Sequence, residues 1–536
     1  MKRQSPNALA VVLPSLAGAL VAAMGGALVA GCGETTSSSA VDAVRGAGGN
    51  GGTDGGGGGG RVALPDGGSV APGTPADGGA PGQPGASGCK GLVFTAGADL
   101  AGAKGELVAW SDADCRPRTT SLVRNDAADP FGSHGGYARA FTYVADGKTR
   151  NCEGSGGNGW AGFGYIVNHF GNGASQTQGV SGKYRTVLAG ANHAIHEFTW
   201  RVDAGGPVDV TVHWSFATGR SHPLYSITYD ASPAGPDVVK ADTRSPYGDI
   251  KFDDGKNGQI DGVGWGDKYR FTTTSPGPAL LSSSWDYTKP NVVPYDVLWS
   301  SSADAEMGLV QTQAWEAHVA GGDYGGNIMG SWGKTGSPMP TDWAWPYQLN
   351  QYEMPYVSSS HRLAWGATFG AVGQRSYAAW GKTLSGYPFV SYAVFVVLGK
   401  HTTSAVAAQV AEMEAVQTTT LTATRGMVAT RGVAGPGRTD TAPFTPAGFD
   451  PVYAAWTVDA AGNAATAAFA TGPGTLKNPV VVLRGYTSAS PPRQVTLGGR
   501  NLTANDGYFA TVDPAGKRLF LTLNASLSGT SVLTVD

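Results

Sequence analysis

Three consecutive stretches between residues 193 and 230 alternate apolar and polar side chains with a period of two. That rhythm constrains the fold more than any other feature of the chain. In residues 193–202 (HAIHEFTWRV), Ala194, His196, Phe198, Trp200 and Val202 share one parity, and His193, Glu197, Thr199 and Arg201 share the other. Residues 208–216 repeat the pattern with Val208, Val210, Val212, Trp214 and Phe216, and Tyr225, Ile227 and Tyr229 continue it before Asp230. A helix would scatter these side chains around its circumference, whereas a pleated strand puts them on one face. The connections 203–207 (DAGGP) and 217–220 (ATGR) are short and built from turn residues. Strands joined this way form an antiparallel meander, the unit of a sandwich or barrel.

The expected fold class is therefore all-β: a large antiparallel β-sandwich or supersandwich over residues 89–425, followed by a small C-terminal β-sandwich over 449–536. Residues 426–448, rich in Gly, Pro and Thr, read as the linker. The small unit is expected from alternating runs at 453–458, 480–483, 494–497, 509–512, 519–523 and 532–535, with a core of its own. One helix is expected near 404–416, where Val406, Val410 and Met413 recur at helical spacing after Thr402, Thr403 or Ser404 as N-cap. It reads as a packing strut. The length and meander of the large body, with the stretch 214–230, resemble the galactose-mutarotase-like supersandwich of carbohydrate-active enzymes. That resemblance implies a fold and a substrate class, and does not fix a reaction.

The first ninety residues carry an address. Lys2 and Arg3 precede an apolar run from Ala8 to Ala30, the layout of a signal peptide over 1–31. It ends in Val29-Ala30-Gly31-Cys32, which resembles the lipobox of bacterial lipoproteins and implies lipidation of Cys32 and attachment to a membrane through that lipid. With Gly33 rather than Asp after the cysteine, the expected location is the outer membrane or cell surface. Residues 33–88 contain no aromatic side chain, and Gly fills 20 of the 56 positions. Such a segment cannot bury enough apolar area to offset its ordering entropy. It reads as a disordered tether with a reach of about 40 Å.

Only 14% of residues are charged, the net charge is −3, and no Lys/Arg run occurs, so nucleic acid is not an expected partner. With Cys32 taken by lipid, Cys89, Cys115 and Cys152 leave room for one disulfide of open pairing. No Cys-x-x-Cys spacing suggests zinc.

Candidate chemistry comes from three features. Seven of the fourteen tryptophans fall between 265 and 345. Of these, Trp285, Trp299, Trp315, Trp332, Trp343 and Trp345, with Tyr347, are the candidate stacking platform for sugar rings, beside amides and acids that bond hydroxyls. The same rings could equally anchor loops in a core. The second feature is a histidine-rich region: His169 after Asn168, then His193, His196, His213 and His222, with Arg220 and Tyr225 close in sequence. By parity His193 and His213 line one sheet face. A polysaccharide lyase needs a His or Tyr to take a proton beside a uronate and an Arg, His or Asn to neutralise its carboxylate. His193, His213, Arg220, His222 and Tyr225 supply these types. A glycoside hydrolase would instead need two carboxyls, among Asp249, Asp253, Asp254, Asp267, Glu316 and Glu353; Glu353 is the one carried as a candidate catalytic residue. The third feature is the loop 249–261, where Asp253, Asn257 and Asp261 sit at calcium-loop spacing, beside the plainer reading of an Asp/Gly turn. No other cofactor is indicated. The leading expectation is a surface-anchored protein acting on polysaccharide as a lyase or glycoside hydrolase. A non-catalytic glycan binder and a structural or adhesion protein are the alternatives.

Overall fold

The computed structural model describes residues 88–96, 103–127, 135–153, 162–170, 173–176, 181–203, 207–230, 232–233, 242–252, 262–265, 269–272, 293, 295–313, 329–330, 349–350, 361–368, 389–433, 435 and 444–536. The chain is all-β, with two nine-stranded antiparallel sheets in the large body. The first sheet runs Val93–Ala96, Gly105–Ser111, Pro117–Val123, Ala138–Ala145, Lys148–Glu153, Asp242–Phe252, Phe163–Phe170, Gly173–Gln176, and His361–Thr368 also pairs with Asp242–Phe252. The second runs Tyr269–Thr272, Gly262–Trp265, Tyr295–Ser300, Ala305–Gln311, Phe389–Gly399, Leu224–Asp230, Pro207–Ala217, His193–Asp203, Lys183–Ala189. The expected meander is its central part, and Glu197 lies opposite His213 in the register.

The two sheets meet through the face that parity assigned inward. The Trp214 indole N–H donates to the Gly136 carbonyl at 3.2 Å, and its ring lies 6.1 Å from Phe141 and 5.1 Å from Tyr225. Gly136 is required at that spot: its φ is +79°, and a Cβ there would come within 2.2 Å of the Trp200 ring. Truncating Trp214, which is wholly buried, would cost about 3–5 kcal/mol.

The opposite face of the second sheet is not open to solvent. The helix Ala405–Gln417 packs on strands Ala305–Gln311 and Phe389–Gly399 and buries Val406, Val410, Met413 and Val416. Each such side chain contributes about 1.5–3 kcal/mol relative to exposure. Ser404 is the N-cap by position, but its left-handed backbone (φ 50°) leaves its side chain out of the cap. The carboxylate of Glu306, reaching from the neighbouring strand, accepts the Val406 N–H at 2.7 Å instead. A negative group at a helix N-terminus also complements the helix dipole.

Two further sheets follow. One joins Thr420–Arg425, Ala465–Ala470, Thr530–Val535, Val495–Leu497 and Arg500–Asn501. The other joins Met427–Val428, Ala455–Asp459, Val480–Arg484, Arg518–Leu523 and Tyr508–Asp513, with Phe449–Asp450 alongside Ala455–Asp459. Residues 420–428, ahead of the expected start of this unit, thus supply strands to it. The expectation of a separate core is corrected: a single hydrophobic cluster runs from Tyr295, Val297 and Phe395 of the body through Val406 and Met413 of the helix to Trp456, Leu483 and Leu521. The reason is the helix, whose apolar residues Val406, Val410, Met413 and Val416 belong to the same cluster as side chains of the body and of the small sandwich.

Candidate functional site

Where body, helix and small sandwich meet, they enclose a polar cleft of about 780 Å³. Its first wall is the turn that carries Asp114, Arg116 and Arg118. The disulfide Cys89–Cys115 ties this turn to the start of the body. Buried Asp112 stiffens it, accepting the backbone N–H groups of Asp114 and Arg116 at 2.9 Å each. Tyr143 and Asp146 come from the adjacent hairpin, Arg220 and His222 from the turn after Pro207–Ala217, and Lys400 from the end of Phe389–Gly399. Glu412 and Gln409 on the helix and Thr475, Lys477 and Ser526 of the small sandwich close it.

Five permanent cations line this space, Arg116, Arg118, Arg220, Lys400 and Lys477, against three carboxylates, Asp114, Asp146 and Glu412. Asp112 pairs with Arg116 and Arg118, and Asp304 with Lys400, so the cleft is densely charged and near balance in sign, on a chain only 14% charged. The cations are held in place. Arg220 donates to Glu412 Oε1 and to the Lys477 carbonyl, both at 2.6 Å, and its guanidinium sits 5.2 Å from the Phe395 ring centroid. Arg118 donates to the Leu398 carbonyl at 3.1 Å beneath Tyr143. Lys400 bridges Asp146 at 2.9 Å and Asp304 at 3.2 Å. Arg116 pairs with Asp112 and Asp114, and Lys477 lies 3.8 Å from Asp114.

His222 is arranged as a neutral donor. The Leu398 N–H donates to its Nδ1 at 3.3 Å, so the neutral ring carries its proton on Nε2. Desolvation, and then the charges of Arg118, Arg220 and Lys477, hold its pKa well below the usual histidine range. Tyr143 donates its hydroxyl to the Gly399 carbonyl, and burial pushes the phenol up. Neither group is set to take a proton at neutral pH. The cleft offers donors and fixed charge.

The residues singled out from sequence divide three ways. Arg220 and His222 reach the cleft. His193 and His213 do share one sheet face, but the small sandwich covers it. His193 Nε2 lies 2.9 Å from Thr522 Oγ1 and its ring 5.8 Å from Phe520; burial lowers its pKa to about 3. His213 Nε2 lies 3.0 Å from Glu197 Oε2, with Tyr453 6.0 Å away. Burial pushes the Glu197 carboxyl up, but hydrogen bonds from His213 and Arg185 outweigh it and hold the group below its usual range. Tyr225 is brought to neither place: it is buried between the sheets, its hydroxyl 2.6 Å from Ser245 Oγ. Its parity with Ile227 and Tyr229 puts it there, and burial raises its phenol well above the usual value.

Of the expected sugar platform, Trp299 is described, and it is a core residue. It is buried under the helix side of the second sheet, and its ring stacks on His401 at 5.3 Å and 4°. A Cβ at Gly262 would come within 1.8 Å of that indole. Trp285, Trp315, Trp332, Trp343, Trp345, Tyr347, Glu353, the calcium-loop residues Asp253, Asn257 and Asp261, and Cys32 lie outside the described residues. Among the described residues no cluster of His, Cys, Asp or Glu is placed to hold a metal ion. Arg116, Arg118, Tyr143, Lys400, Glu412 and Lys477 escaped the sequence reading, because their positions span residues 116 to 477 with no local motif. The dense charge beside Cys115 (Asp112, Asp114, Arg116, Arg118) was the one usable signal.

These features define a class: an all-β sandwich protein with a charged junction cleft. Neither a protein-family model nor a curated protein sequence matches the chain. Among solved structures it is similar to a glycosyl hydrolase family 38 protein from Enterococcus faecalis, at 8% identity over 84% of this chain and 51% of that one, TM-score 0.27. It is similar also to an alpha-mannosidase from Enterococcus faecalis V583, at 9% identity over 78% of this chain and 41% of that one, TM-score 0.28. A third is galactose 1-epimerase from Lactobacillus acidophilus NCFM, at 8% identity over 58% of this chain and 99% of that one, TM-score 0.27. The chain spans about half the length of the first of these and less of the second. Likenesses of this size carry no argument about activity.

Proposed function

We propose that this chain is a surface lipoprotein that engages an acidic polysaccharide in the junction cleft. The observation that carries the reading is the gathering of Arg116, Arg118, Arg220, Lys400, Lys477 and the His222 donor around one cleft of about 780 Å³. That volume suits a small-molecule or short oligosaccharide segment. Guanidinium forks match carboxylates in geometry as well as charge, and Asp114, Asp146 and Glu412 can accept from sugar hydroxyls. Lipid on Cys32 and the tether would hold the folded part at the outer membrane or cell surface, where a polymer that cannot enter the cell would be met.

Binding ranks ahead of catalysis as a lyase or glycoside hydrolase, because the basic nitrogen Nδ1 of His222 is occupied by the Leu398 N–H and the Tyr143 hydroxyl is spent on the Gly399 carbonyl. The test is a panel of acidic and neutral polysaccharides offered to the full chain in detergent. Retention of acidic polymers alone, without new unsaturated products or reducing ends, is the expected result. Retention of none would remove the glycan reading and leave the structural or adhesion alternative. Unsaturated products would make the chain a lyase.

A further inference from the structure

Behind the cleft lies a second, smaller space of about 50 Å³, between the second sheet and the small sandwich. Arg220 and His222 line both spaces, so the two share a wall. Their characters differ. The recess is walled mainly by Leu188, Ile195, Phe216, Phe395, Val480 and Phe520. Two polar atoms interrupt this lining, His193 Nδ1 and Ser215 Oγ, and both are buried without a hydrogen-bond partner. His193 is neutral at physiological pH, since burial holds its pKa near 3, so Nδ1 is a neutral donor or acceptor. Native structures rarely leave such atoms unsatisfied, and each needs a partner of some kind. A space of this size holds about three to five water-sized groups. Away from the shared wall of Arg220 and His222 the lining offers a charged group no ionic partner, so such a group would lose its hydration there uncompensated.

We infer that the recess is a subsite for a short neutral acyl or ester group, of acetyl size, carried by the polysaccharide that the cleft grips. The methyl end would meet the apolar wall, and the carbonyl oxygen would accept from Ser215 or His193. The inference rests on the proposed glycan reading for the rest of the ligand. Arg220 and His222 then grip the sugar at the entrance while the substituent projects past them, so the cleft tells an acetylated acidic glycan from the same polymer stripped of acetyl.

Two measurements on the full chain in detergent test this. The first is the ratio of affinities for one acidic polysaccharide before and after chemical de-O-acetylation. The acetylated form should bind about tenfold tighter, the range that one small group in a fitted pocket gives. The ratio should fall to about one in Ser215→Leu and in Ala217→Leu, which fill the recess from neighbouring positions of one strand. Equal binding of both polymers by the unmodified protein would overturn the inference. The second is saturation-transfer NMR with methyl acetate as a polymer-free probe. Saturable transfer that disappears in either leucine variant supports the subsite. No transfer, or transfer unchanged by both variants, overturns it. If no polymer binds but methyl acetate still fills the recess, the glycan reading fails and the subsite stands.

Discussion

Replacing Arg220 by Met removes the guanidinium that joins three parts of the molecule while keeping an apolar stem near Phe395. Arg220 is tied to Glu412 on the helix and to the Lys477 carbonyl on the small sandwich, each at 2.6 Å. The exposures of the Arg220 and Glu412 side chains are 11% and 13%, so water from the cleft replaces only part of what is lost. A hydrogen bond to a charged group is worth about 1.5–3 kcal/mol. Two such bonds give about 3–6 kcal/mol, and partial rescue by water from the cleft brings the expectation to about 3 kcal/mol. Glu412 would keep only its contact with Gln409 Nε2 at 3.2 Å among the bonds described for it. Glu412→Gln alone should cost about 1–2 kcal/mol, and the double variant should show a coupling of about 1.5 kcal/mol. The assay is urea unfolding followed by tryptophan fluorescence and by far-ultraviolet circular dichroism. Because the core is continuous from Phe395 to Leu521, the two signals should move together, and Arg220→Met should shift the midpoint without changing the slope. A loss below about 1 kcal/mol, or a small sandwich that unfolds first in the unmodified chain, would refute the account of the junction.

Stability should fall as the medium is acidified from pH 6 to 5. The folded state holds His193 near 3 and His196 near 4, and holds His222 well below its usual value, whereas the unfolded chain protonates all three near 6.5. The unfolded state therefore binds more protons, and each histidine contributes about 1.4 kcal/mol of loss per pH unit. Asp296 opposes this: burial raises its carboxyl well above the usual range, so the folded state binds a proton that the unfolded one lacks. Three losses against one gain leave roughly 3 kcal/mol per pH unit, measured as urea midpoints across pH, and a flat profile would contradict the burial of the histidines. Asp296→Asn should keep the bond from the Leu309 N–H and stabilise the protein at pH 8 more than at pH 5, and the reverse order would show the carboxyl to be ionised in the fold. Mass spectrometry should find one disulfide, Cys89–Cys115, with Cys152 unreactive to thiol reagents until the chain unfolds. Reduction should cost about 3 kcal/mol for a loop of that length, and no change in stability would mean the turn at Asp112 is held by other bonds.

The sheets were legible where the two faces of a strand differ in polarity. The parity of residues 193–230 named the inward face of three strands, because one side is apolar and packs on another sheet while the other carries polar groups even where the small sandwich covers it. Residues 295–300 and 305–311 are buried on both faces, so their pattern loses its period, and Trp299 looked like a loop aromatic available to sugar. Ala465–Ala470 escaped notice because alanine has little strand preference, and its place depends on Thr420–Arg425 and Thr530–Val535 at either side. The histidine face was read correctly as to parity and wrongly as to exposure: parity gives a face, and only the tertiary fold says what covers it. The cleft was hidden for a similar reason. Its five cations come from four separate segments, each unremarkable alone, and the turn at 219–222 was the only part already under suspicion.

The measurement that bears most directly on the proposed function is the affinity of the full chain for an acidic polysaccharide, titrated against sodium chloride, for the unmodified protein and for Lys400→Glu combined with Lys477→Glu. The junction cleft requires binding that weakens with salt, because screening acts on its charges, and that weakens sharply on charge reversal while a neutral glucan binds neither protein. Affinity that ignores salt and survives both reversals would place the ligand elsewhere on the molecule.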